Sequence, residues 1–354
     1  MGKKFIGKRS PTYKGSFQRS NGTNHSDYEP SIQYTLEESL EIFINAKIAE
    51  GVRPRTIQDY KQHIKYLKQF LGKRFEFKYI NDLDANIIRA YITYLRDEKK
   101  SYEGVKGREK DCGLSINTIN MRLRTLRTMC RFWYLEGMIA SNPMENIKSI
   151  RQDQEEEVKG FSDEEIHKIL NSFNERNYAE WRDKILILLL LDTGLRINEA
   201  ISLTIDKIDF KVFSLSIPSS NAKNRKGREV PISREVLKKV RKLHEESVEY
   251  FGPHKGIFMN AYGEPLKADA VRRRFHRLGK RLGIQKLHPH RFRHTFIRNY
   301  ILNGGDIFTL QKIVDHSDIK TTRKYIQMEE GHIKEQHNKF SPVRRYLSKN
   351  KYLN

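Results

Sequence analysis

The stretch that most restricts what this chain can fold into is Trp181–Asp192. Its second half, Ile185–Leu191, is apolar without a break, so a helix formed here has no face to leave in water. The run is far shorter than the roughly 20 residues that a helical membrane span needs. It therefore reads as the central helix of a folded domain, buried all round. Thr193-Gly194 follows, and glycine suits the left-handed position just past a helix C-terminus. Arg196 comes directly after this stop, with Asn198-Glu199-Ala200 behind it. An arginine on the turn after a buried helix is rigidly placed, and Glu199 is close enough in sequence to hold its guanidinium. A purely structural Arg–Glu pair at a helix end fits the same local pattern.

A second stretch concentrates chemistry. It runs Leu287-His-Pro-His-Arg-Phe-Arg-His294, then Val314-Asp-His-Ser-Asp318, then Thr321-Thr-Arg-Lys-Tyr325. His290, Arg293 and His294 share one face if the first part is helical, and Pro289 fits near the start of that helix. His316 lies one helix and turn further on, and Tyr325 follows it by nine residues. Arginine forks neutralise phosphate oxygens with paired hydrogen bonds. Imidazole moves protons near neutral pH, and a tyrosine can be a covalent nucleophile. This set suits displacement at a phosphodiester. A basic helix followed by an exposed tyrosine is the plainer reading, since the chain holds 17 tyrosines.

Charge narrows the partner. The 354 residues carry a net +23, which predicts a polyanion, nucleic acid first. No apolar run stands behind the basic N-terminus, so no signal peptide is expected. Ile6 occupies the place where a myristoylation motif needs Ser or Thr, so no membrane partner is expected. Two cysteines, Cys112 and Cys130, are too few for a disulfide scaffold and point to a reducing cytoplasm. His288 and His290 lack carboxylate neighbours, so no metal site is expected.

In chain order, residues 1–33 form a flexible basic arm, since Lys3, Lys4, Lys8, Arg9, Lys14 and Arg19 all precede the first acid, Asp27. A helical unit spans 34–147. The Thr35–Glu38 capping box starts its first helix, to Gly51. A second starts at Pro54 with Ile57, Tyr60, Ile64, Leu67 and Leu71 as an inward stripe and Lys61, Lys65 and Lys68 on the other side. A third buries Ile87, Ile88, Tyr91 and Leu95. A polar loop, Lys99–Gly113, leads to the fourth, Ser115–Glu136. This one buries Ile119, Leu123, Leu126 and either Trp133 or Tyr134, and presents Arg124, Arg127 and Arg131 as a row without acids. That row favours DNA over a merely solvated face. A polar, acidic linker occupies 148–160. A second domain spans 161–328: the Ser162–Glu165 capping box, the buried helix, a strand over Asp206–Ile217 paired with Arg228–Ile232 around an Asn221–Gly227 turn carrying Lys223, and helices over Ser233–Tyr250 and Lys267–Gly283. The last of these carries Arg272, Arg273, Arg274 and Arg277, a second phosphate-facing surface. A hairpin lysine such as Lys223 is ordinarily just solvated. Residues 329–354 form a tail.

Taken in order, these residues resemble the tyrosine recombinases, or phage integrases. The shared pattern is Thr193-Gly-Leu-Arg196, Lys223 on a β-hairpin, His290-Arg-Phe-Arg293-His294, His316-Ser-Asp and Tyr325. One departure stands out: the family often has Leu-Gly before its last histidine, where this chain has Val314-Asp315. The resemblance implies a mainly α fold with a small β-sheet, an N-terminal helical core DNA-binding domain and a mixed α/β catalytic domain. It also implies that Arg196, Arg293, His290 and His316 bind the scissile phosphate, with Glu199 and His294 in support. Tyr325 then attacks to form a 3′-phosphotyrosyl link, and Lys223 protonates the leaving 5′-oxygen. Arginine, lysine and histidine supply the charge stabilisation, so no metal or cofactor is expected. Double-stranded DNA recombination sites, a homotetramer on DNA with the 329–354 tail packed on a neighbour, and an excisionase or other accessory DNA-bending protein are the implied partners. Integration and excision of a bacterial mobile element is the expected role. A Xer-like resolvase of chromosome or plasmid dimers, and a catalytically silent DNA-binding regulator, are the alternatives.

Overall fold

The computed structural model describes residues 33–101, 112–151, 160–219, 227–315, 337–339 and 341–343. Lys223, His316 and Tyr325 lie outside these residues, as do nearly all of the 1–33 arm, most of the Lys99–Gly113 loop, the acidic centre of the 148–160 linker, the hairpin turn at 220–226 and most of the 329–354 tail. The chain divides into two compact units, Met1–Glu155 and Glu156–Asn354.

In the first unit, Thr35 Oγ1 accepts from the Glu38 N–H while the Glu38 carboxylate accepts from the Thr35 N–H, closing the capping box of α1, Leu36–Ala49. Pro54 opens α2, Pro54–Arg74, at a position where its missing N–H costs nothing. Ile57, Ile64, Leu67 and Leu71 of α2 are buried, while Lys61, Lys65 and Lys68 are exposed. α3, Ala85–Thr93, is capped by the Asp84 carboxylate and passes into a π-helical turn that buries Leu95. α4, Ile116–Leu135, buries Ile119, Leu123, Leu126 and Trp133. Of the two aromatic candidates near its end, Trp133 is the inward one and Tyr134 is 47% exposed. The Trp133 indole N–H donates to the Ser39 carbonyl at 3.2 Å and ties α4 to α1. Asn120 exchanges two hydrogen bonds with the Ile150 backbone, so the chain up to Ile150 is pinned on this unit.

The second unit is built around α6, Tyr178–Thr193, in which no residue is exposed. It packs against α8, Arg234–Phe251, and α10, Pro289–Leu302. Around it stand α5, Asp163–Asn171, the short α7, Ile197–Ile201, α9, Ala268–Leu282, and α11, Ile307–Val314. The polar first turn of α6 survives burial because it is paired. Arg182 donates to the Asp183 carboxylate and to the Met259 carbonyl, and Arg274 of α9 takes the other oxygen of Asp183. Arg274 is thus committed to the core of this unit.

The expected strand over Asp206–Ile217 is not one strand. A 3-10 turn at Ile205–Lys207 leads into β1, Ile208–Asp209, and the chain folds back into β2, Ser214–Ile217. The Asp209 carboxylate causes the reversal by accepting the N–H groups of Lys211 and Val212 at 2.8 and 3.1 Å. Phe213 completes it in the left-handed region at φ 56°. β3, Arg228–Pro231, pairs antiparallel with β2, giving the order β1-β2-β3 with Leu215 opposite Val230 and Ile217 opposite Arg228. Among the described residues, no helix is long and apolar enough to cross a membrane.

Candidate active site

Two helix ends meet to form the site. α6 stops at Gly194, which takes φ 62°, and a Cβ there would lie 2.3 Å from the Phe296 ring. Glycine is needed at this point both for its backbone and for its size. α11 stops at Asp315, which is also left-handed, at φ 53°. The last carbonyls of a helix lack intrahelical donors and carry partial negative charge, so the two ends offer acceptors to cations.

Arg293, on α10 and 5% exposed, uses both. Its Nη1 donates to the Gly194 carbonyl at 2.6 Å and its Nη2 to the Val314 carbonyl. Arg196, the N-cap of α7, reaches the same second turn. Its Nη2 donates to the Asp315 carbonyl at 2.8 Å, and its Nη1 to Asp315 Oδ2 and Glu199 Oε1, both at 3.0 Å. The two arginines of the expected phosphate clamp therefore converge on the 314–315 turn.

Glu199 is 2% exposed. It accepts from the Arg196 backbone and side chain and from both Nη atoms of Arg228, at 3.2 and 2.9 Å. Burial alone would raise its pKa; the hydrogen bonds from Arg228 and Arg196 outweigh this and hold it below the ordinary 4.5. Arg228 also donates from Nε to the Ile313 carbonyl at 2.9 Å, joining β3 to the end of α11. Arg228 is not among the residues expected at the site, yet strand alternation puts it on the same face as the buried Val230, and a core-facing arginine must be paired.

His290, Arg293 and His294 share one face of α10. His290 is exposed at the helix start; partial desolvation of its ring, followed by the positive charges of His288, Arg293, Arg272 and Arg196, pushes its pKa below 6.5. For His294, burial and then the charges of His290, His288 and Arg293 push it down to about 4. Both rings are therefore neutral at pH 7, and a neutral imidazole can accept a proton. Pro289 opens α10, and the His288 ring nitrogen accepts from the Arg291 N–H at its N-terminus. Arg291 lies over the Phe161 ring at 4.0 Å and pairs with Glu165 at 2.7 Å, anchoring α10 to the start of the unit.

The expected DNA contacts divide. Lys61, Lys65, Arg124 and Arg131 are exposed on the first unit, and Arg272, Arg273 and Arg277 on the second. Arg272 is paired with Asp269. Arg127 is half-buried and donates to the Ile147 carbonyl at 2.9 Å.

Comparison with known proteins decides the family. Residues 159–332 match the model of the phage integrase family, and residues 38–150 match its SAM-like domain. The chain belongs to the phage integrase family of tyrosine recombinases. Members of this family cleave and rejoin DNA. The recombinase is 28% identical over 313 residues to the tyrosine recombinase XerC of Leptospira interrogans, covering 87% of this chain and 94% of that one. It is 24% identical over 298 residues to XerC of Lacticaseibacillus casei, covering 82% and 93%. Its fold matches the Tn1549 transposon integrase in complex with a circular intermediate DNA at a TM-score of 0.66, with 18% identity over 87% of this chain and 100% of that one. It matches XerH bound to palindromic difH substrate at 0.63, with 19% identity over 84% and 82%. The mainly helical architecture with a three-stranded sheet is the fold expected of a recombinase with these two domains.

Proposed function

We propose that this recombinase integrates and excises a mobile DNA element through a 3′-phosphotyrosyl intermediate. The observation that carries the reading is the convergence of Arg196 and Arg293 on one turn, directly before His316 in sequence. Two guanidiniums held in place supply the paired donors that a five-coordinate phosphorus at the transition state requires, without reorganisation at the moment of reaction. In this scheme Arg196 and Arg293 bind the non-bridging oxygens, and His290 and His316 add hydrogen bonds. Tyr325 attacks phosphorus as its phenol proton passes to His290, whose lowered pKa leaves it neutral and able to accept. The bond to the 5′-oxygen breaks, and Lys223 donates the proton that makes it a hydroxyl. A 5′-hydroxyl from a second strand reverses these steps, so rejoining needs no external energy source.

Double-stranded DNA is the substrate, and four protomers on two sites complete the exchange, with the 329–354 tail docking on a neighbour and a DNA-bending accessory protein shaping the complex. The exposed Lys61, Lys65, Arg124, Arg131, Arg273 and Arg277 fit a backbone-tracking role. The protein acts in the cytoplasm, on the nucleoid. Its basic 1–33 arm and the fold match to a transposon integrase favour a mobile element. The Xer relatives favour a second reading, resolution of chromosome or plasmid dimers.

The deciding experiment uses a nicked suicide duplex carrying the element's end sequence, with the protein and its Tyr325→Phe form run on a denaturing gel. A covalent protein–DNA band from the first and none from the second is expected. Native gel shifts without a covalent band from either would favour the silent regulator. Exchange between element ends but not between copies of a chromosomal dimer-resolution site separates the integrase from the resolvase.

A further inference from the structure

Beyond the two phosphate-binding arginines, the turn that joins them carries an acid. We infer that Asp315 is an internal counter-ligand of Arg196, whose carboxylate holds the place of the scissile phosphate until DNA displaces it; the inference rests on the recombinase reading of this site.

Four observations carry it. Asp315 Oδ2 lies 3.0 Å from Arg196 Nη1, and both side chains are partly open to solvent, 13% and 19% exposed. The contact is therefore within reach of an incoming anion. Second, Arg196 does not need that carboxylate for its position. The almost fully buried Glu199 already grips Nη1 and the Arg196 backbone, and the Asp315 main-chain carbonyl grips Nη2 at 2.8 Å. Third, Asp315 sits at φ 53°, ψ 52° as the left-handed cap of α11. Glycine fits such a place most readily, and aspartate less so, because a Cβ crowds the following carbonyl there. The residue present is thus not the one the backbone favours, and its side chain is spent on Arg196. Fourth, a carboxylate and a phosphodiester present the same thing to a guanidinium, two oxygens sharing one negative charge.

The consequence follows from charge. Glu199 is shared between Arg196 and Arg228, so Asp315 is the carboxylate that Arg196 does not share with Arg228; with it in place the three arginines and two acids keep one net positive charge instead of two, and the phosphate must compete for Arg196. The site is quiet towards stray anions and is engaged only by a phosphate that many other contacts drive into it. Asp315 thereby sets a threshold: weakly held DNA does not gain Arg196, whereas a fully docked site does.

The test uses the full chain with Asp315→Asn and Asp315→Gly. The first keeps the shape and removes the charge; the second removes the side chain and relaxes the backbone. Inorganic sulfate is titrated calorimetrically into each DNA-free protein, with Arg196→Ala added to the Asp315→Asn background. The expected result is sulfate bound about threefold to tenfold more tightly by both variants, with the gain abolished when Arg196 is also removed. In parallel, the nicked duplex measures covalent-complex formation at subsaturating DNA, where both variants should be faster by a similar factor. Sulfate affinity that stays the same or falls overturns the inference. So does slower cleavage by both variants, which would make Asp315 a support that Arg196 needs. If no protein forms a covalent complex, the recombinase mechanism fails on that DNA, and the sulfate titration still decides the role of Asp315.

Discussion

Two populations of arginine stand apart among the described residues. Those of α4 and α9 that face outward, such as Arg124, Arg131, Arg273 and Arg277, are exposed. Those between the ends of α6 and α11, Arg196, Arg228 and Arg293, are bound by helix-end carbonyls and by the Glu199 and Asp315 carboxylates. The same side chain does different work in each setting. An exposed arginine keeps its rotamer freedom and attracts a polyanion in proportion to charge, with strong dependence on salt. A held arginine has already lost that freedom, so its contribution to a transition state is geometric and large.

The largest expected effect is therefore in the held population. Arg293→Ala should lower the rate of covalent-complex formation by roughly 10²–10³ while changing duplex affinity by less than about threefold. The Gly194 and Val314 carbonyls lose their shared donor, so stability should also fall by about 1–3 kcal/mol. Urea denaturation alongside single-turnover cleavage measures both. Arg293→Lys should recover stability only in part, because one ammonium cannot fork between two carbonyls as a planar guanidinium does. Equal losses of affinity and rate would erase the distinction between the two populations.

The sequence carried the first half of this contrast and missed much of the second. The apolar run of α6 and its glycine stop fixed the place of Arg196, because a helix buried on every side leaves no choice of orientation. Capping boxes at Thr35 and Ser162 marked helix starts directly, since the pattern and the hydrogen bonds are the same objects. Over Asp206–Ile217 the pattern suggests one strand where the chain has two, because β-branched residues on both sides of a tight turn look continuous, and only the Asp209 side chain shows where the chain folds back. Arg228, Arg274 and Asp315 escaped notice as partners because their contacts join residues 29, 91 and 119 positions apart. Charged letters far apart in sequence look like surface until the fold brings their opposites together. In the sequence Asp315 stands out as a departure beside His316, and in the fold its carboxylate turns towards Arg196.

A smaller effect, in pH, sharpens the comparison, since arginines do not titrate in the usual range but the histidines among them do. His294 has its pKa pushed from 6.5 to about 4, by burial first and neighbouring charge second. Between those values the unfolded chain takes up a proton that the folded one refuses, so stability must fall as pH drops from about 6.5 to about 4. His288 and His290 are shifted in the same direction. The urea midpoint should decline through this window, and His294→Gln should flatten the decline. A decline of the same steepness in the variant would mean that the fold does not hold the pKa of His294 below its ordinary value.

The smallest effects belong to the exposed population. Arg124→Ala and Arg131→Ala should each weaken duplex binding severalfold and lower the slope of log affinity against log salt by about 0.9. Stability should stay within about 0.5 kcal/mol, and cleavage at saturating DNA should be unchanged. Arg127 stands in the same row but belongs to neither class fully, because its guanidinium donates to the Ile147 carbonyl. Arg127→Ala should cost about 1 kcal/mol of stability and leave the salt slope nearer to that of the parent protein. Filter binding across a salt series, with denaturation of each variant, separates these outcomes. If Arg127→Ala instead changes the slope as much as its neighbours do, then its hydrogen bond to Ile147 yields to DNA, and a held arginine can cross into the free population when a phosphate offers more than a carbonyl does.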